Sequence, residues 1–262
     1  MICALLIGRG GSQGFPGKNL HPVLGRPLMA YPLMAASDAG EIDQTYLSTD
    51  SPEIMAVGRQ YGARILHRPS ELCTAQALGD EVFAHGYRAI RDELRKTGES
   101  LEAMVLLFCN APMVTGALIR QGIQALRTHP EIDSAVSVSL YNMWSPLRAR
   151  RLGQDGLLHP FVPFEAFGDP STLNCDRDSQ GEVYFADMGV SVVRPYCLEN
   201  LSAGQLPQRW MGRKIFPLKQ WGGLDVDYEW QVPQVEFWLQ EHGVRPAAGE
   251  QEIKTASSGG IR

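Results

Sequence analysis

The chain has 262 residues, a formal net charge of −5 at neutral pH, 44% apolar and 20% charged residues. These proportions exclude whole-chain disorder and provide for one sizeable α/β core. With no basic surplus, neither nucleic acid nor an anionic membrane is expected as a partner, and an anionic small substrate needs a local cationic site.

The first run, 2–8, reads as a strand that leads straight into Arg9-Gly10-Gly11; its apolar start lacks the basic flank of a signal peptide. No run approaches the ~20 apolar residues of a membrane-spanning helix. Cys3, Cys73, Cys109, Cys175 and Cys197 are odd in number, scattered and never paired as Cys-x-x-Cys. That pattern speaks against a zinc ribbon or disulfide framework and for a reducing cytoplasm. The histidines show no metal-ligand spacing.

Further strands are expected at 45–49, 64–67 and 104–109. Ser51 can cap a helix over 52–61, with Pro52 at the tolerated first position. The spacing of Val82, Phe83, Tyr87, Ile90 and Leu94 predicts a helix over 79–96. Thr115 can cap a third, whose apolar side carries Leu118, Ile119, Ile123 and Leu126. Alternating strands and helices imply a mainly parallel, doubly wound sheet with ligand sites beyond the carboxyl ends of its strands.

After a cleanly alternating strand at 134–140, the stretch 141–184, rich in Arg, Pro and aromatics, reads as an excursion from the sheet. Strands are expected again at 188–193, 214–218 and 224–227, then a helix over 228–241 that Pro233 must kink or start late. This makes one domain over 1–243; the polar, Gly/Ser/Ala-rich stretch 244–262 reads as a flexible tail.

The most informative segment is 8–19, directly after the first strand. Its glycines let backbone amides form an anion-binding nest, and Arg9 and Lys18 add two cations, a combination that fits a triphosphate. A dinucleotide fingerprint fails because Gln13 stands where the third glycine belongs; a P-loop fails at Ser12 and Asn19. The alternative is a plain glycine-rich turn.

Here the residues become specific. Arg9-Gly10-Gly11-Ser12-Gln13-Gly14-Phe15-Pro16-Gly17-Lys18-Asn19, followed by Pro22 and Gly25-Arg26-Pro27-Leu28, resembles the N-terminal signature of the acylneuraminate cytidylyltransferase family. Similar segments follow in order: Ser48-Thr49-Asp50-Ser51, Arg68-Pro69 with Glu71-Leu72, 184–189, and Leu224-Asp225-Val226-Asp227. The resemblance implies a three-layer, Rossmann-like nucleotidyltransferase fold with a mainly parallel mixed sheet. It implies that the substrates are CTP and an acidic nine-carbon 2-keto sugar of the sialic, legionaminic or pseudaminic type, and that the products are a CMP-sugar and pyrophosphate. It also implies Mg²⁺ as cofactor and a homodimer packed through 141–184. Cytidylyltransferases for an eight-carbon acid usually lack the Lys-Asn pair that ends the loop, which favours the nine-carbon branch. An eight-carbon acidic sugar, another nucleotide, or a non-catalytic nucleotide-binding relative are the alternatives.

Two residues apart on an expected strand, Asp225 and Asp227 would point to one side roughly 6 to 7 Å apart. At an effective dielectric near 20 they would repel by roughly 2 to 3 kcal/mol, a cost that a hard divalent cation removes. The resemblance assigns both to the metal, with Arg9, Lys18 and Asp225 as catalytic residues; Asp227 as a helix cap is the other reading. By the same resemblance Gly10, Gly11, Ser12, Asn19, Arg68 and Asn110 surround the nucleotide, and Phe108 and Tyr184 face the sugar. Asp50 reads equally as part of a turn and cap, Arg68 as a surface arginine, and Tyr184 as a core residue. Arg148, Arg150 and Arg151 either face an acidic sugar or form a solvated face. The chain departs from relatives at Phe108, where many carry Gln, at Asn110, which replaces a hydroxyl, and at Met188, where many carry Asn. A more apolar pocket is the expected result, suited to a deoxygenated or N-acylated sugar.

Overall fold

The computed structural model describes residues 1–179 and 181–247. In chain order the elements are β1 (Ile2–Ile7), a hairpin of β2 (Pro22–Val23) and β3 (Arg26–Pro27), α1 (Ala30–Ala39), β4 (Gln44–Thr49), α2 (Pro52–Gln60), β5 (Arg64–His67), α3 (Gly79–Lys96), β6 (Ala103–Phe108), α4 (Gly116–Thr128) and β7 (Ser134–Leu140). The excursion carries β8 (Arg150–Leu152) and β9 (Leu158–Pro160); β10 (Tyr184–Val193), α5 (Pro195–Glu199), β11 (Ile215–Gln220) and α6 (Val232–Glu241) follow.

Seven strands form one sheet in the order β11-β7-β10-β6-β1-β4-β5. All neighbours run parallel except β10, which is antiparallel to both β6 and β7. β1 lies inside the sheet and is buried on both faces, so its sequence is continuously apolar. Ile2, Ala4 and Leu6 join one core cluster, with Leu33 of α1 and Ile119 and Ile123 of α4. Cys3, Leu5 and Ile7 join the opposite one, with Phe83, Tyr87 and Ile90 of α3. The period of two thus sorts one strand into both halves of a three-layer fold.

Ser51 and Thr115 cap their helices, accepting from Ile54 N (3.3 Å) and Leu118 N (3.2 Å). A third cluster holds α6 against the β2–β3 hairpin through Val23, Leu24, Val226, Val235 and Trp238. The hairpin turns on Leu24 and Gly25, both left-handed at φ 46° and 75°. For Leu24 that conformation costs about 1–2 kcal/mol, which its complete burial, at roughly 1.5–3 kcal/mol, offsets.

Three expectations change. Residues 224–227 form no strand: Val226 N donates to Asn110 O (2.7 Å), so the segment pairs with a loop instead of the sheet. Of the two outcomes allowed for Pro233, the late start occurs: a turn at Glu229–Gln231 precedes α6, and Pro233 falls in its first turn. The strand expected at 188–193 begins at Tyr184, but its pairing with β7 breaks between Ala186 and Ser191, around Met188 at φ 62°. Residues 244–247, expected in the tail, are tied back through Val244 N to Leu239 O (2.9 Å), Arg26 to Arg245 O (2.9 Å) and Ala247 N to Leu24 O (3.0 Å). The rest of the expected tail, 248–262, lies outside the described residues.

Candidate active site

β1 and β6 pair in register from Ile2↔Ala103 to Ile7↔Phe108, so Gly8 and Cys109 emerge side by side at the carboxyl end of the sheet. A Cβ on Gly8 would stand 2.7 Å from Cys109 Cβ, and only glycine lets the two chains leave together. The following loop is held by its own polar groups. Gly10 N donates to Asp50 Oδ1 (3.0 Å), and Asn19 Nδ2 donates to Arg9 O (3.1 Å). Asn19 is buried, and among the described residues its Oδ1 has no hydrogen-bond partner. At Gly14 a Cβ would lie 2.9 Å from Asp227 O, so the loop reaches across to the segment carrying the two aspartates.

Between them lies a cavity of about 380 Å³. Of the residues singled out from sequence, Arg9, Ser12, Lys18, Asn19, Arg68, Phe108, Asn110 and Asp227 line it. Asp225 stands behind Asn110, whose Nδ2 lies 3.4 Å from Asp225 Oδ2 and donates to Val226 O at 3.1 Å. Gly10 lines a smaller adjoining cavity, beside Ser51. Gly11 is exposed, with nothing within 4 Å of a built Cβ. Tyr184 does not line the cavity; its hydroxyl donates to Glu182 and Lys219 Nζ sits 4.6 Å from its ring centre.

In the loop after β5 sequence reasoning singled out Arg68 and the Glu71-Leu72 pair but not Thr74 or Ala77; it placed Gly79 and Val82 on a helix without a role at the site, and it gave Gln13 and Tyr228 no role there. Small residues in a loop carry no chemical signal; Gln13, inside the glycine-rich run, did. Phe108 stands against Phe83 (ring centres 5.2 Å apart) and Trp210 (6.0 Å), so its ring is braced from behind.

Burial, and then the neighbouring Asp227 charge, raise the Asp225 carboxyl above its ordinary value; Lys18 and the Asn110 contact oppose this. Asp227 is exposed and pairs with Lys18 at 2.5 Å. Instead of capping the last helix with its side chain, it donates its N–H to Gln231 Oε1 (2.7 Å). Arg68 is a lacing residue as well as a lining one. It donates to Ser48 Oγ (3.3 Å), Ser48 O (2.6 Å) and Gly8 O (3.3 Å), joining the ends of β1 and β4. Burial pushes the Cys109 thiol up to about 12, which leaves it a packing group.

In the excursion, Arg148 donates to Cys175 O (2.5 Å), and Arg150 donates to Leu147 O (2.7 Å) and lies over the Phe164 ring. None of Arg148, Arg150 and Arg151 lines the cavity at the glycine-rich loop; Arg148 and Arg150 line a separate one of about 540 Å³ within the excursion.

A mixed, mainly parallel sheet with its glycine-rich loop after the first strand belongs to the nucleotidyltransferase class of α/β folds. Two solved structures agree. One is a CMP:2-keto-3-deoxy-manno-octonic acid synthetase complexed with CTP (TM-score 0.62, 14% identity, covering 92% of this chain and 99% of that one). The other is a 4-diphosphocytidyl-2C-methyl-D-erythritol synthase from Anaerococcus prevotii (TM-score 0.59, 14% identity, 91% and 96%). At that identity they speak to the fold alone. Within the class, the family model described as cytidylyltransferase matches residues 3–138, more than half of the chain, and the chain belongs to that family.

Among curated relatives, the chain is similar to the N-acylneuraminate cytidylyltransferase of Escherichia coli, at 29% identity over 54% of this chain and 32% of the relative. It is similar also to the CMP-N,N'-diacetyllegionaminic acid synthase of Legionella pneumophila (39%, over 55% and 61%) and the pseudaminic acid cytidylyltransferase of Campylobacter jejuni (29%, over 44% and 49%). The matched segments span less than two thirds of each of these relatives.

Proposed function

We propose that the chain transfers CMP from CTP to an acidic nine-carbon 2-keto sugar and releases pyrophosphate. The observation that carries this reading is the placement of Arg9 and Lys18 on a glycine-rich loop that faces Asp227, with Asp225 behind it, across one cavity. The names of the relatives, a sialic, a legionaminic and a pseudaminic acid enzyme, support the sugar class.

The donor set fits Mg²⁺. Asp225 and Asp227 are hard oxygen donors held close enough for the charge of one to raise the other, and a dication removes that penalty. Among the described residues no group of three or more His, Cys, Asp or Glu side chains is placed to cage a metal; Mg²⁺ characteristically takes one or two carboxylates and completes its shell with water and phosphate. Bound there by Asp225 and Asp227, the ion supplies charge neutralisation on the triphosphate. The loop amides, Arg9 and Lys18 hold the outer phosphates and offset the charge that develops toward pyrophosphate. The sugar's anomeric hydroxyl attacks the α-phosphorus in line, its proton passes to solvent, and the bond from that phosphorus to the leaving oxygen breaks. Arg68, Ser12, Asn19 and Asn110 orient the nucleotide. Phe108 presents an apolar surface to the sugar, which favours an acyl methyl or deoxy position there. The enzyme works in the cytoplasm as a homodimer.

The test is pyrophosphate release with CTP, Mg²⁺ and a panel of sialic, legionaminic, pseudaminic and eight-carbon acids. One nine-carbon acid is expected to be consumed, and Asp225→Asn to lower turnover by about 10²–10³-fold, the scale of losing a transition-state charge partner. Release with the eight-carbon acid alone, or with none of the panel, would refute the reading.

A further inference from the structure

Asp187 is buried at 4% exposure beneath the broken stretch of β10. Its Oδ1 accepts from Ser137 Oγ (2.5 Å) and Gly189 N (3.2 Å), and its Oδ2 from Ser139 Oγ (2.6 Å) and Gln220 Nε2 (2.9 Å). The direction of the hydroxyl bonds follows from their other partners. Val190 N donates to Ser137 Oγ (2.9 Å) and Gly223 N to Ser139 Oγ (3.0 Å), which leaves both hydroxyl protons for the carboxylate. Asp187 is therefore an acceptor four times over. Among the described residues no Lys, Arg or His forms an ion pair with it. A buried acid without a cation is a costly way to fill a core, so what it holds matters.

What it holds is the chain leaving β11. Gln220 bonds Asp187 directly, and Gly223 is bound through Ser139. A Cβ on Gly223 would fall 2.7 Å from Asp187 Cγ, so a glycine is required for this approach. Tyr141 Oη donates to Gly223 O (2.9 Å), and two residues on comes Asp225. Beyond it Asn110 clamps Val226 from the opposite side. Residues 221–227 thus have no strand or helix of their own; besides these two anchors they are held at the ends, Trp221 O by Trp238 Nε1 (2.7 Å) and Asp227 N by Gln231 Oε1 (2.7 Å), and by the burial of Val226.

We infer that Asp187 is a positioning residue: through Ser139 and Gly223 it sets the backbone that carries Asp225 and Asp227 to the cavity, and with it the affinity of the site for a divalent cation. This rests on the metal role proposed above for the two aspartates. An Asn at 187 keeps the shape, but on either side its amide would face two donors, so the anchor loosens while the sheet remains.

The experiment compares wild type with Asp187→Asn and Ser139→Ala, the second of which breaks the relay and leaves the acid in place. In metal-free protein, amide exchange over 221–227 is expected to rise about tenfold in both, with β1 and β6 unchanged. Mn²⁺ affinity in the presence of CTP, read by electron paramagnetic resonance, is expected to weaken about 10- to 100-fold, the usual scale for groups that orient metal ligands. Higher metal concentration should then restore turnover, which a merely structural role would not produce. If either folded variant melts lower yet keeps wild-type exchange over 221–227 and wild-type Mn²⁺ affinity, the inference is overturned and the function reading stands. If wild type itself takes up no Mn²⁺ with CTP, the metal role of the aspartates falls, and the role of Asp187 falls with it.

Discussion

Asp225 occupies a position that works against its own charge. Its folded carboxyl titrates above the ordinary 3.8, first through burial and then through Asp227, so the folded state binds its proton more tightly than the unfolded chain does. The stability linked to that proton is full below 3.8 and is lost as pH rises through the folded value. In chelator, Asp225→Asn is therefore expected to melt higher than wild type at neutral pH, with the gain shrinking as pH falls toward 3.8. Melting curves across pH check this; a variant that melts lower than wild type at neutral pH would contradict the burial argument. At this scale the charged residues were legible. Cations flanking glycines and acids two apart have few structural uses, so Arg9, Lys18, Asp225 and Asp227 stand out in the sequence. Asp187 did not, because a lone acid in an apolar strand has no local signature; its partners Ser137, Ser139 and Gln220 lie on two other strands.

Helices with one apolar face were read from spacing alone, and α3 spans the expected 79–96. α1 was missed for the opposite reason. Tyr31, Leu33, Ala35, Ala36 and Ala39 bury it on several sides, so no polar stripe marks its period. Residues 224–227 misled differently. Val226 is fully buried, Asp225 partly and Asp227 hardly at all, so the alternation is real, but the backbone bonds go to Asn110. What no period can announce is how closely two elements approach. A Cβ on Gly116, at the start of α4, would stand 2.7 Å from Asp38 C and 2.8 Å from Ala39 N, main-chain atoms of α1 that cannot turn aside. Gly116→Ala should destabilise by about 1–3 kcal/mol in denaturant titration. Gly11→Ala, with open space around the new methyl, should stay within about 0.5 kcal/mol. A Gly116→Ala variant as stable as wild type, or more stable, would show that contact with α1 does not govern Gly116.

Across the whole molecule, the seven-stranded sheet divides the apolar residues into two large clusters, and its carboxyl end gathers the glycine-rich loop, Arg68, Phe108 and Asn110 around the cavity. The excursion obeys a different rule. Met143, Trp144, Leu152, Leu157, Leu158 and Phe161 are each more than half exposed. Leu152 and Leu158 face one another across the β8–β9 pair, at 73% and 71% exposure. Polar ties such as Arg148 to Cys175 O, and the stacking of Trp144 on Tyr141, hold the shape of this arm without covering its apolar side. Exposed apolar residues gathered on one arm of a folded protein point to an interaction face, which in the homodimer proposed above a second copy of the arm would cover. Wild type is then expected to sediment as a dimer, with a melting temperature that rises with protein concentration, because association stabilises the folded state by mass action. Leu158→Glu places a charge on that face where the monomer has no packing to lose. It should sediment as a monomer, melt at a concentration-independent temperature, and leave the core amides as protected as before. A wild type that stays monomeric at high concentration would remove the homodimer from the reading, and the exposed leucines would then belong to contact with a different partner.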